Sequence, residues 1–188
     1  KPSKKFQFDA IYQGRITPNK GVIDLLYVWK TVVKKTPTAT LAVMGSGLKE
    51  NILNFEKKII ELKLENNVSY LGFTNRPRKY EVMKGSKLFI YLSKINADES
   101  WGISLMEALA CGLPAISYNL PIYNYIYKTE SLIKVKKNDL LAVARAVISI
   151  LTDRKKRNSL SKSSKDFSQK FSWKSIATND LKIINISE

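Results

Sequence analysis

The stretch that decides the fold runs from residue 88 to residue 117. It reads Leu88-Phe89-Ile90-Tyr91-Leu92, a loop as far as Trp101, Gly102-Ile103-Ser104-Leu105-Met106-Glu107-Ala108-Leu109-Ala110, a turn at Cys111-Gly112-Leu113, and Pro114-Ala115-Ile116-Ser117. A short apolar run, a helix-length segment, a glycine turn and a second apolar run spell strand, helix, strand. The same alternation extends upstream. Phe8 to Tyr12 predicts a strand, and Val22, Ile23, Leu25, Leu26, Trp29, Val32 and Val33 then follow helical spacing, with Pro37 beyond the end. Ala39 to Met44 predicts a strand, Ile52 to Leu62 a helix, Val68 to Leu71 a short strand, and the segment after Pro77 a short helix. Downstream, Leu132 to Val135 predicts a weak strand, and three helices follow near Asp139–Leu151, Asp153–Phe167 and Trp173–Ile184. Together these predict an α/β fold. A parallel sheet of about six strands is flanked by helices on both faces, with additional helices at the C-terminal end. The apolar strands fit a sheet covered on both sides. In such folds ligands bind at the carboxyl ends of the strands.

The composition narrows the chemistry. The 188 residues suit a single domain, and the Lys1–Lys5 segment reads as a linker remnant, so the chain is expected to be cut from something longer. Apolar residues at 44% and charged residues at 26% argue against disorder. Histidine is absent, which excludes His-based triads, general bases and metal sites; Cys111 alone excludes an internal disulfide or a multi-cysteine zinc site. A lone cysteine fits a reducing, cytoplasmic location. No apolar signal core follows the basic start, and no apolar run approaches the ~18 residues of a membrane span. Lys and Arg number 32 against 16 Asp and Glu, a net +16. That excess suggests an anionic partner, whether nucleic acid, a membrane surface or a phosphorylated ligand. Because the lysines are dispersed, a solvated basic surface is the plainer explanation.

Two constellations carry more. Gly14-Arg15-Ile16-Thr17-Pro18-Asn19-Lys20-Gly21 joins the first strand to the first helix. It sets two cations beside a helix N-terminus, which suits a diphosphate, although a basic surface turn has the same spacing. Glu99-Ser100-Trp101-Gly102-Ile103-Ser104-Leu105-Met106-Glu107 places two carboxylates eight residues apart around a helix start. Gly102 leaves the N–H groups of Ile103 and Ser104 open to a phosphate. Glu107 stands about 7.5 Å further along the axis, within reach of a ribose diol. Its apolar neighbours suggest partial burial and a partner; an ordinary helix glutamate is the alternative. Gly14, Gly45, Gly47 and Gly102 converge on one edge of the expected sheet, whereas Gly112 and Gly72 suit turns. Gly45-Ser46-Gly47 falls short of a dinucleotide fingerprint, because Glu50 stands where the third glycine belongs.

With Gly-Arg-x4-Lys-Gly, Glu-x7-Glu and Glu107-Ala108-Leu109-Ala110-Cys111-Gly112-Leu113-Pro114 in place, the chain resembles the carboxyl-terminal domain of glycosyltransferase family 4, retaining enzymes of GT-B architecture. Val68-Ser69-Tyr70-Leu71-Gly72-Phe73, the Gly-x-Gly at 45–47 and Phe171-Ser172-Trp173 support the likeness, which spans about Phe8 to Trp173. The resemblance implies a Rossmann-like donor-binding domain occupying the whole chain, 1–188, with an acceptor-binding half preceding it. It implies transfer of a glycosyl group from a nucleotide-diphosphate sugar with retention of configuration. Arg15 and Lys20 match the pair that binds the diphosphate and stabilises the leaving group. Glu99 matches the residue that orients the transferred sugar, and Glu107 the one on the ribose. Ile103 and Ser104 match backbone contacts near the phosphates, and Gly14, Gly45, Gly47, Gly72, Phe73 and Gly102 complete the implied donor site. No metal and no cofactor is implied. The implied partners are the donor, the missing half, and a glycan or lipid-linked acceptor, the last of which would place the protein peripherally at an anionic membrane surface.

The chain departs from the family pattern after Ser117. Tyr118-Asn119-Leu120-Pro121-Ile122-Tyr123-Asn124-Tyr125-Ile126-Tyr127 replaces the usual small residues, with Asn124 near the position of an expected glutamate, and Glu130-Ser131-Leu132-Ile133 replaces a glycine-rich turn. The tyrosines are expected to be packed aromatics rather than a membrane-facing surface. Two other readings compete. One is a basic nucleic-acid-binding α/β domain, disfavoured because no reader motif is present. The other is a non-catalytic nucleotide-binding scaffold, disfavoured because Arg15, Lys20, Glu99 and Glu107 are all intact.

Overall fold

The computed structural model describes residues 5–95, 101–172, 175 and 177. Six parallel strands form one sheet in the order β3-β2-β1-β4-β5-β6: β1 Phe8–Gln13, β2 Leu41–Met44, β3 Val68–Tyr70, β4 Ser86–Tyr91, β5 Ala115–Tyr118 and β6 Leu132–Val135. This is the strand order of a Rossmann-like doubly wound sheet. The order reverses between β1 and β4, which pair at Ala10↔Leu88 and Ile11↔Phe89. The loops that leave these two strands therefore start side by side. All four residues of β2 and of β5 are buried, as a sheet covered on both faces requires.

The helices are α1 Val22–Lys35, α2 Lys49–Glu61, α3 Arg78–Lys84, α4 Ile103–Ala110, α5 Pro121–Ile126, α6 Leu140–Thr152 and α7 Arg154–Gln169. α1 packs against α2 and α6, and α4 packs against α7. The stripe of α1 read from its spacing is the one that faces inward, with Leu25, Leu26, Trp29 and Val32 at most 1% exposed. Asp139 and Asp153 cap α6 and α7, accepting from Ala142 N at 2.8 Å and Lys156 N at 2.9 Å. α7 is pinned along its length where Ser161 and Ser164 donate to the carbonyls of Gly112 and Leu113, at 2.6 and 2.9 Å.

The structure adds one helix, α5, that the spacing does not announce. Its six residues are too few for a periodic signal, although Pro121 stands in its first turn. Tyr118, Tyr123 and Tyr127 around it are buried, while Tyr125 is 78% exposed. Gly85 closes the C-terminal end of α3. The expected helix at Trp173–Ile184 lies outside the described residues, apart from Ser175 and Ala177, which are helical.

Candidate functional site

The site is built where β1 and β4 end. Tyr12 and Tyr91, near the ends of these neighbouring strands, stack with centroids 6.2 Å apart and form a floor. Above it the chain leaves β1 through Gly14 and Arg15, makes a single 3-10 turn at Pro18–Lys20, and enters α1 through Gly21. Gly21 has φ +69°, and a Cβ there would stand 2.0 Å from the Leu92 carbonyl oxygen. Only glycine lets this loop lie flat on the end of β4. The two loops are then knit together. Lys94 N donates to Asn19 O at 2.8 Å, and Lys94 Nζ bonds Asp24 at 2.7 Å. Asp24 also accepts from the Tyr118 hydroxyl at 2.6 Å. Burial first, and Asp24 second, raise the Tyr118 phenol far above its ordinary value.

The third wall comes from the end of β2. Gly45, at φ +154°, brings its backbone so close that a Cβ would fall 1.8 Å from the Gly14 carbonyl oxygen. Gly45 N donates to Gly72 O at 2.9 Å, and Ile16 N donates to Ser46 O at 2.8 Å. The fourth wall is the opening of α4, where Gly102 is the N-cap. The first turn of a helix has N–H groups without intrahelical acceptors and a positive partial charge. The buried Tyr127 holds this turn in place by donating to the carbonyls of Trp101 and Gly102.

These walls line an open hollow of about 370 Å³. Of the residues nominated from sequence, Gly14, Arg15, Lys20, Gly45, Phe73, Gly102, Ile103 and Ser104 line it. Gln13, Ser46 and Tyr91, which carry no such nomination, line it as well. Lys20 is only 5% exposed, its ammonium 6.0 Å from the centre of the Tyr91 ring. Arg15 is exposed, and its carbonyl accepts from the Tyr12 hydroxyl at 2.7 Å. Two cations and a helix N-terminus facing one hollow form a receptor for a compact, multiply charged anion.

Three of the described nominated residues, Gly47, Gly72 and Glu107, are not part of this lining. Gly47 and Gly72 shape the loops, Gly47 lying against Ile16 and Gly72 accepting from Gly45. Glu107 lies on α4, three and four residues beyond Ser104 and Ile103 and therefore on the same helical face. Its side chain is 16% exposed, and its Oε1 accepts from Lys79 Nζ at 2.6 Å and from the Tyr80 hydroxyl at 2.8 Å. Glu99 lies outside the described residues. Lys79 and Tyr80 carry no sequence signal, because they reach Glu107 from α3 only through the tertiary fold. A larger cavity, about 680 Å³, lies at the opposite end of the sheet around Phe8, Gly85 and Cys111. There α3 and α4 present their negative C-terminal ends, and none of the nominated site residues falls there.

A family model described as Glycosyl transferases group 1 matches residues 1–167. The chain is 28% identical over 178 residues to the poly(glycerol-phosphate) alpha-glucosyltransferase of Bacillus subtilis, an overlap of 91% of this chain and 24% of that protein. In structure it is similar to a mutant of S. aureus TarM solved with fondaparinux, alpha-GlcNAc-glycerol and UDP, with a TM-score of 0.79 at 22% identity over 98% of this chain and 37% of that one. It is likewise similar to Anabaena Alr3699/HepE solved with UDP and glucose, with a TM-score of 0.79 at 20% identity over 96% of this chain and 48% of that one. The chain thus spans from about a quarter to about half of the length of these relatives.

Proposed function

The chain belongs to the group 1 glycosyl transferases, and we propose that it is the donor-binding half of a retaining, family 4 enzyme that moves a glycosyl group from a nucleotide-diphosphate sugar. The observation that carries this reading is the shared cavity. Arg15, Lys20 and the first turn of α4 converge on one hollow at the point where the strand order reverses.

The chemistry follows from where charge develops. Breaking the anomeric bond leaves negative charge on the departing nucleotide diphosphate. The buried Lys20 and the N–H groups of Ile103 and Ser104 are in place before that charge appears, so they stabilise the transition state with little reorganisation, and the exposed Arg15 adds its guanidinium. Glu107 takes the ribose hydroxyls, and Glu99 orients the sugar being transferred. The acceptor attacks an oxocarbenium-like centre on the face that the leaving group vacates, which retains configuration without an enzyme nucleophile. No metal is invoked. UDP is the proposed nucleotide, as in the HepE and TarM complexes. The net +16 charge favours an anionic acceptor, the class named for the B. subtilis relative. The same charge would hold the protein at the periphery of an anionic membrane surface on the cytoplasmic side.

The test is glycosyl transfer by this chain joined to its acceptor half, using a panel of UDP-sugars, with the product anomer assigned by NMR. Transfer with retention, unaffected by EDTA, is expected, while the 188 residues alone bind UDP without turnover. An inverted product, or full activity from the isolated chain, contradicts the proposal.

A further inference from the structure

We infer that Lys79 and Tyr80 are positioning residues that immobilise Glu107, and that through it they determine preference for a ribonucleotide over a deoxyribonucleotide donor. This rests on the proposed role of Glu107 at the ribose. Both donors converge on the same oxygen, Oε1, at 2.6 and 2.8 Å, and Arg76 adds a guanidinium nitrogen 4.0 Å from it. Among the described residues Oε2 receives no hydrogen bond. A carboxylate oxygen has two lone pairs, so Oε1 is filled and Oε2 keeps its full capacity for incoming hydroxyls. An unpinned glutamate would present either oxygen over a range of rotamers and lose side-chain freedom when a diol bound. Here that freedom is already spent in the folded protein.

The pair is also sheltered. The Lys79 and Glu107 side chains are 14% and 16% exposed, so water and salt screen their attraction less than on an open surface. The two donors are neighbours in the first turn of α3. That turn is set by Lys79 N donating to Asn75 O at 2.9 Å and Tyr80 N donating to Pro77 O at 3.0 Å. The Lys79 ammonium and the Arg76 guanidinium lie 4.8 and 5.4 Å from the centre of the Tyr80 ring, which confines the phenol. The segment leading from Gly72 into α3 also carries Phe73, part of the cavity wall. One stretch of chain therefore shapes the donor cavity and fixes the acid next to it.

A site built to hydrogen-bond a hydroxyl rejects the analogue that lacks it. Calorimetric titration of UDP and 2′-deoxy-UDP into this chain, with a melting temperature for each variant, tests the inference. The wild type is expected to prefer UDP, and Glu107→Gln to lose that preference. Lys79→Met should weaken UDP binding about tenfold, the scale of one charge-assisted hydrogen bond, and weaken 2′-deoxy-UDP, which offers only the 3′-hydroxyl, by clearly less. Tyr80→Phe should give a smaller change in the same direction, and Lys79→Arg should restore most of the preference. If Lys79→Met and Tyr80→Phe keep the wild-type ratio while Glu107→Gln loses it, the positioning role is overturned and the ribose role stands, whatever the melting temperatures. If Glu107→Gln keeps the ratio, or the wild type binds neither nucleotide, both fall.

Discussion

Asp24 shows how one side chain can tie the site together. It holds Lys94, whose backbone clamps the loop after β1, and it accepts from Tyr118 at the end of β5. Because the Tyr118 pKa is raised on folding, its contribution is fully present below the unfolded phenol value of about 10 and is lost as pH climbs above it. Thermal melts at pH 8 and at pH 11 should show a smaller alkaline loss for Tyr118→Phe than for the wild type; equal losses would count against the linkage. At this scale much of the cavity is legible in the sequence. Arg15, Lys20, Gly45 and Gly102 stand out because they fall in the loops between strand ends and helix starts, where this fold class binds its ligands. Lys79 and Tyr80 are not legible. They lie 28 and 27 positions from Glu107, and only the docking of α3 beside α4 brings them together. Gln13 falls just beyond the strand expected at Phe8 to Tyr12 and carries no signal; in the structure it ends β1 and lines the cavity, and its buried Oε1 has no hydrogen-bond partner among the described residues.

Among the elements, α4 links packing to chemistry. Its apolar residues Leu105, Ala108 and Leu109 are buried, and its N-terminus opens into the cavity. The aim of that N-terminus depends on Tyr127, just past α5, whose hydroxyl bonds the carbonyls of Trp101 and Gly102. Tyr127→Phe removes this tie at a cost of about 1–2 kcal/mol. It should lower both the melting temperature and the affinity for UDP; loss of stability with unchanged affinity would show that α4 needs no such tether. The strands are readable from apolar runs to within a few residues, since a doubly covered strand is apolar over most of its length; the charges Asp9, Lys87 and Lys134 are the exceptions in β1, β4 and β6. α5 is not, because a six-residue helix shows barely more than one period and its tyrosines fit several packings. The tyrosine-rich departure from the family pattern thus has a structural use: Tyr118, Tyr123 and Tyr127 are core residues.

Across the whole molecule, the strand order decides where function sits. Reversal between β1 and β4 sends one connection to each side and leaves a hollow between the two departing loops. The residue pattern implies this order only through the family resemblance, because alternation of strands and helices does not specify which strands are neighbours. The net charge of +16 acts at this scale as well. If the acceptor is a polyanion, its KM with the complete enzyme should rise steeply between about 50 and 300 mM salt, roughly the range over which the Debye length falls below 10 Å. Donor KM, set by the buried Lys20 and the opening of α4 as well as by the exposed Arg15, should change less. A salt-independent acceptor KM would point to a neutral acceptor.

The claim on which the rest depends is that Arg15, Lys20 and the opening of α4 grip a diphosphate. The most direct measurement is calorimetric titration of UDP, UMP and uridine into the wild type and Arg15→Ala. The account predicts that UDP binds at least about tenfold more tightly than UMP, as one charge-assisted contact supplies, and that most of this advantage disappears in Arg15→Ala. Equal affinity for UDP and UMP in the wild type, or an undiminished UDP advantage without Arg15, would contradict it.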